Sequence, residues 1–410
     1  MRELRKFDIS NIRQDFPILQ RTVHGRPLIY FDNAASAQKP RAVIESITNQ
    51  MSRSYANVHR GLHTLANETT QAYEAARTRV AAFLNAQSAE EIVFTRGSTE
   101  AINLVASSYG RLAIGEGDEI VLSVLEHHSN IVPWHFLRER MGARLRWVDI
   151  DDDGRIDPAS VARELTHRTR IIAITHMSNV LGGIVGIQEI ARLAHDVGAK
   201  VLVDGSQAAV HGPVDVQDLG CDFYVFTGHK IYGPTGIGVL WARRQLLDAM
   251  PPYQGGGEMI ETVSREKITY ALAPQKFEAG TPPILEAIGL HAALDYLGGF
   301  ERGDLMAHEA ILLKSAESAL AEIKGVRCYG SVAAKGPILA FAVDGAHAHD
   351  VATVLDQLGI AVRAGAHCAE PLMHRLGLSS TVRASFGIYN TVEEVEEFSR
   401  AVERATSILR

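Results

Sequence analysis

The middle of the chain alternates short, unbroken apolar runs with stretches whose apolar positions recur every three or four residues. The runs are Ile92–Phe94, Ile120–Leu125, Leu145–Val148, Ile171–Ile174, Val201–Val203, Phe223–Phe226 and Ile237–Trp241. They are rich in Val and Ile and continuous rather than alternating, which is how strands covered on both faces read. Between them lie helix candidates at Thr99–Tyr109, Pro158–Leu165 and Ile187–His195. Strand and helix in turn predict an α/β fold, with a mostly parallel central sheet and helices on both sides. In such sheets ligands sit beyond the carboxyl ends of the strands.

The pattern changes after about Gly280. Helical periodicity dominates up to Lys324, followed by strand-like pieces at Ile338–Val343, Ile360–Val362 and Val382–Ile388. A last helix is predicted to open at Thr391, with Glu394 at capping-box spacing and an apolar face of Val392, Val395, Phe398, Val402 and Leu409. The expected division is a large domain over 21–284 and a smaller α+β domain built from 1–20 and 285–410.

Composition narrows the function classes. The chain has 410 residues, too many for one ordinary core, and is 46% hydrophobic and 22% charged. Its formal net charge of −7 argues against nucleic acid or an anionic membrane as the main partner. Three cysteines, Cys221, Cys328 and Cys368, do not read as a disulfide framework and suit a reducing compartment. The first residues carry no apolar run after their basic positions, and no stretch approaches a membrane span. A cytoplasmic protein is expected.

Asp204 directly follows one apolar run, and Lys230 follows the next in "VFTGHKIYGPTG". Neighbouring parallel strands would bring carboxylate and amine to one edge; a plain salt bridge is the alternative. "FTRGSTEAIN" gives strand, Gly97-Ser98-Thr99, then helix, which suits an anion or an ordinary N-cap. His127 and His128 end another strand without the spacing of a metal site, so no metal is expected; a flat imidazole stacked on a planar ring fits better. Phosphate cradle, flat lid, carboxylate and lysine are the parts that a pyridoxal 5'-phosphate site requires, with Thr227 and His229 beside the lysine. "VRAGAHCAEPL" sets Cys368 in a small-residue turn after Arg363 and His367, where a thiol is a nucleophile or an inert group. Cys221 and Cys328 abut strand-like runs and are expected to be packed. Arg383 suits a substrate carboxylate or a surface salt bridge.

Several of these motifs together, with "YFDNAASAQKP", "YANVHRGLH", "EHHSNIVPWH", "THMSNVLG", "VDGSQ" and "FEAGTP", resemble the SufS-type cysteine desulfurases of the pyridoxal-phosphate-dependent class V aminotransferase superfamily. The resemblance runs from about Phe16 to the last helix and implies a fold type I transferase. It implies that Lys230 is the Schiff-base lysine, Asp204 the carboxylate at the pyridine nitrogen, Gln207 the amide facing the ring hydroxyl and His127 the stacking imidazole. Ser98, Thr99, Thr227 and His229 match phosphate contacts, with Thr281 contributed by the other subunit of a homodimer. Asn179 and Arg383 match substrate-carboxylate contacts, with Arg363 close by, and Cys368 matches the sulfur-accepting cysteine. The implied substrate is L-cysteine, or L-selenocysteine for a selenocysteine lyase on the same scaffold. The implied partner is a SufE- or SufU-like sulfur acceptor feeding iron–sulfur cluster assembly. One position departs from the pattern: Ala366 replaces the first of two histidines before the cysteine.

Overall fold

The computed structural model describes residues 4–410. Its central sheet has seven strands, in the order Ile92–Thr95, Gly238–Ala242, Phe223–Thr227, Lys200–Asp204, Thr169–Thr175, Glu119–Ser123 and Arg144–Val148. Neighbours run parallel except at Gly238–Ala242, which is antiparallel to both strands beside it. Alternate side chains enter opposite cores. Val201 and Val203 join one and Leu202 the other; Tyr224 and Phe226 join one, Phe223 and Val225 the other. With both faces covered, the inner strands are almost wholly shielded from water, which is the physical origin of the continuous apolar runs; only the edge strand Arg144–Val148 opens to it, at Arg144.

The helix expected at Thr99–Tyr109 starts at Ser98 and is α-helical to Val105, then widens into a π turn over Ala106–Gly110. There the buried Ser108 hydroxyl donates to the Pro251 carbonyl. Gly110 lies against Leu137, where a Cβ would come within 2.6 Å.

A second sheet is wholly antiparallel, in the order Val326–Tyr329, Ile338–Val343, Thr381–Ser385 and Arg363–Gly365. The strand expected at Ile360–Val362 is divided: Ile360–Ala361 pairs in parallel with Ile29–Tyr30, and Arg363–Gly365 joins the sheet. The strand expected to reach Ile388 ends at Ser385. Beyond it the Phe386 N–H donates to the Pro337 carbonyl and the Ile388 N–H to the Tyr232 hydroxyl. Ile29 and Phe31 sit in the core of this second unit with Leu339, Phe341 and Phe398, although they come early in the chain. The final helix, Val392–Leu409, carries the full capping box of Thr391 and Glu394, and buries Val395, Phe398 and Val402. Cys328 is a correction: it lies on the edge strand Val326–Tyr329 and is exposed, whereas Cys221 is buried as expected.

The segment 1–20 begins outside the described residues, at 1–3. Its helix Ile9–Gln14 is capped by Asp8, and Arg13 reaches both the Tyr389 carbonyl and Glu394. Phe16 packs on Tyr389 and Tyr296, with ring centroids 4.6 and 5.8 Å away. Among the described residues no helix is long and apolar enough to cross a membrane.

Candidate active site

The carboxyl edge of the large sheet supplies most of one cavity of about 860 Å³. Register brings the groups together: Thr175 pairs with Asp204, Asp204 with Val225, and Gly238 with both Thr227 and Thr95. Asp204 is buried, and its Oδ1 accepts from the backbone N–H of Ser206 at 3.0 Å and the Ser206 hydroxyl at 2.6 Å. The other oxygen has no hydrogen bond among the described residues. Gly205 lets the backbone press against Tyr224, whose ring a Cβ would meet at 2.1 Å. Lys230, half-buried in the cavity wall, likewise forms no hydrogen bond among the described residues. Burial pushes its ammonium down to about 8; the Asp204 carboxylate opposes this shift and Arg383 adds to it.

The turn at Gly97 starts the helix Ser98–Val105 without a side-chain cap, so its first N–H groups face the cavity with the positive helix end. Gly238 packs beneath it, where a Cβ would stand 2.4 Å from Gly97 Cα. The Ser98 hydroxyl bonds to that of Ser206, and Thr99 to Ser129. Thr227 and His229 line the same end. Burial, then Lys230, takes His127 down to about 4; burial, then Lys230 and Lys39, does the same to His229. His127 Nδ1 accepts from the Ser129 N–H, so the neutral ring carries its proton on Nε2. His127 lines the cavity, whereas His128 pairs with Glu370 and donates its backbone N–H to the Cys368 carbonyl.

Cys368 is exposed and lines the same cavity. It and His367 both hold φ of +55°, a strained conformation for residues other than glycine. The turn is fixed by Asn179 Nδ2 donating to the His367 carbonyl at 2.9 Å and by the contact from His128. His367 is buried, bonds Thr381 through Nε2, and leaves Nδ1 with no partner. Burial, reinforced by Arg383, holds it near 3, so this imidazole is neutral and offers the thiol no positive charge. The cations in electrostatic range of Cys368 are Lys230, Arg363 and Arg383. Ala366, at the departed position, packs against the main core.

Arg383 is buried; Nη1 donates to the Asn179 carbonyl at 2.8 Å and Nε has no partner. Burial brings its guanidinium down to about 10. Arg363 lines the cavity, but its guanidinium grips Asp32 through Nε and Nη2. Gln207 lines the cavity while its Nε2 donates to the Ala34 carbonyl. Thr281 is exposed and lies outside the residues lining the cavity of this subunit.

The arrangement matches known proteins along its whole length. The aminotransferase class-V family model covers residues 29–398. The chain belongs to the class-V aminotransferase family. Within that family it is similar to the cysteine desulfurase of Dickeya dadantii, 51% identical over 98% of each chain. It is also similar to the probable cysteine desulfurase of Streptomyces coelicolor, at 48% identity over 97% of this chain and 96% of the other. The crystal structure of the cysteine desulfurase CsdA from Escherichia coli superposes with a TM-score of 0.92 at 43% identity, covering 99% of this chain and 100% of that one. The apo cysteine desulfurase of Thermococcus onnurineus gives 0.94 at 38% identity with the same coverage.

Within this class-V framework, three residues escaped the sequence. Ser206 orients Asp204; the signal was an Asx-type turn, Asp followed two positions later by a hydrogen-bonding N–H. Glu126 is wholly buried and takes bonds from Ser123, Asn130 and the Thr175 N–H; burial raises its carboxyl to about 8. Asp32 had no local signal, because its arginine partners lie more than 300 positions away.

Proposed function

We propose that this protein is a pyridoxal-phosphate-dependent cysteine desulfurase that converts L-cysteine to L-alanine and carries the sulfur as a persulfide on Cys368. The observation that carries it is that one cavity is walled by both an unbonded lysine amine and an exposed cysteine held in a strained turn. The residues fit the cofactor: a free amine at Lys230, one unengaged oxygen on Asp204, and an uncapped helix start at Gly97. Pyridoxal phosphate, when bound, supplies an electron sink for the charge left at the substrate α-carbon.

Asp204, oriented by Ser206, would hold a protonated pyridine nitrogen, and Gln207 would face the ring hydroxyl. Ser98, Thr99, Thr227, His229 and the helix start would hold the phosphate, and the neutral His127 ring would lie flat against the cofactor. Thr281 would join from the second subunit of a homodimer, which its exposed position supports. Arg383 and Asn179 would hold the substrate carboxylate. Lys230 would hold the cofactor and would carry the substrate α-proton; its lowered pKa favours the neutral base. Cys368, with Lys230, Arg363 and Arg383 around it, attacks the substrate sulfur as thiolate. The S–S bond forms as the C–S bond breaks, and the electron pair stays with carbon, which takes a proton and ends as the alanine methyl. The exposure of Cys368 supports hand-over of the sulfur to an acceptor protein of the SufE or SufU kind for iron–sulfur cluster assembly. Three unpaired cysteines suit a reducing cytoplasm.

Mass spectrometry after exposure to L-cysteine is the test. The expected result is added sulfur on the peptide containing Cys368, absent in Cys368→Ala, and a borohydride-fixed cofactor on the peptide containing Lys230. Desulfuration at the wild-type rate by Cys368→Ala would refute the nucleophile assignment.

A further inference from the structure

The bend that carries His127 is held together by a buried carboxyl that the chemistry above does not use. Glu126, Ser123, Asn130 and Trp134 are all fully shielded from water. Glu126 Oε1 accepts from the Ser123 hydroxyl at 2.5 Å and from the Thr175 N–H at 3.0 Å, and Oε2 accepts from Asn130 Nδ2 at 2.7 Å. The Asn130 oxygen in turn takes the Trp134 indole N–H at 3.1 Å. An indole only donates, so the amide is fixed with its nitrogen toward Glu126. Ser123 closes the strand Glu119–Ser123, and Thr175 closes the neighbouring strand and pairs with Asp204. Glu126 thus ties two strand ends to the far side of the bend.

Two working groups hang from the backbone between those ties. The His127 ring lines the cavity, oriented by the Ser129 N–H on its Nδ1 at 3.1 Å. The next residue, His128, donates its N–H to the Cys368 carbonyl at 2.8 Å, so the strained turn of the nucleophile leans on the same bend. A buried carboxyl is costly unless it is hydrogen-bonded, and every bond that Glu126 makes fixes this bend or the strand beside it. Burial raises its carboxyl to about 8, yet protonation leaves the ties in place. The Thr175 N–H and the Asn130 amine only donate, so the proton faces the Ser123 oxygen, the one neighbour able to accept it.

We infer that Glu126 is a positioning residue: through Ser123, Asn130 and Thr175 it sets the bend that places both the His127 ring and the Cys368 turn. This rests on the desulfurase reading of the cavity. In Glu126→Gln the amide nitrogen faces either the Thr175 N–H or the Asn130 amine, donor against donor. Adding Asn130→Asp returns an acceptor at that place and keeps one for the Trp134 indole. For alanine formation from L-cysteine by the holoenzyme, kcat is expected to fall at least about tenfold in Glu126→Gln. KM is expected to stay within about twofold, because Arg383 and Asn179 are untouched. The double variant is expected to recover most of the loss. Visible circular dichroism of bound pyridoxal phosphate, which reports how the ring is held, is expected to weaken and recover in step. The iodoacetamide alkylation rate of Cys368 in the apoprotein is expected to change at least about threefold and to return. An unchanged kcat in Glu126→Gln, or equal losses in the single and double variants, overturns the inference. Asn130→Ala, which deletes the same bond without adding a donor, carries the test if Glu126→Gln does not fold: the same fall is expected, and a wild-type kcat is again fatal. A wild-type holoenzyme that forms no alanine sinks the desulfurase reading. The role of Glu126 then stands if dichroism and alkylation shift and recover as expected, and falls if they do not.

Discussion

Burial gives Lys230 its chemistry. An ammonium partly withdrawn from water, with the Asp204 carboxylate only in part offsetting that loss, gives up its proton more readily, and here it does so near pH 8. In the proposed reading it is the neutral amine that would hold the cofactor aldehyde, so the neutral fraction would set the rate of capture. Capture of pyridoxal phosphate by the apoprotein is therefore expected to accelerate as pH rises and to level off above about 8, not near the ordinary lysine value of 10.5. Absorbance stopped-flow against pH measures it; a midpoint close to 10.5 would contradict the desolvated setting. The histidines around this amine follow the same physics. His127, His229 and His367 are all held well below the usual imidazole range by burial, so none contributes a cation near neutral pH. The cations in electrostatic range of Cys368 are lysine and arginine instead.

Elements position these residues through their ends. The parallel strands stop in register, so Asp204 and the turn carrying Lys230 emerge at one edge, while the helix after Gly97 begins there with open N–H groups. The last helix is fixed differently, by the reciprocal bonds of Thr391 and Glu394. Removing the hydroxyl in Thr391→Ala leaves the Glu394 N–H without its acceptor and is expected to cost about 1 kcal/mol. Denaturant unfolding measures this, and an unchanged midpoint would show that the cap adds nothing to the stability of the C-terminal unit. Boundaries were the least legible feature of the elements. The pieces near residues 360 and 385 are set by which strand lies alongside: Ile360–Ala361 follows Ile29–Tyr30, and Arg363–Gly365 follows Thr381–Ser385. Apolar content alone carries no information about that change of partner.

At the scale of the whole molecule, the single chain leaves apolar side chains open. The hairpin Ile260–Val263 with Ile268–Tyr270, and Leu272 two positions beyond it, expose Val263 at 63% and Leu272 at 73%. A second copy covering this region would account for them and bring Thr281, a few positions on, toward a neighbouring cavity. The double variant Val263→Asp and Leu272→Asp is expected to move the sedimentation-equilibrium mass from two chains toward one; two-chain mass throughout would remove this stretch from the interface.

The sequence by itself determined the α/β class and the carboxyl-edge location of a site holding Asp204 and Lys230, while the choice of Lys230, Asp204 and Cys368 as its central candidates came from the resemblance of its motifs. The first two are local matters: strand burial on both faces writes itself as a continuous apolar run, and a polar residue directly after such a run has to emerge at the sheet edge. Only the tertiary structure decided that Asp32 sits between Arg363 and Arg383, that Glu126 takes the Thr175 N–H, that Cys328 is exposed and that the Cys368 turn is held by Asn179 and His128. Those contacts join segments far apart in the chain, and a side chain's environment there is set by packing between elements, for which the order of residues along one segment leaves no periodic trace.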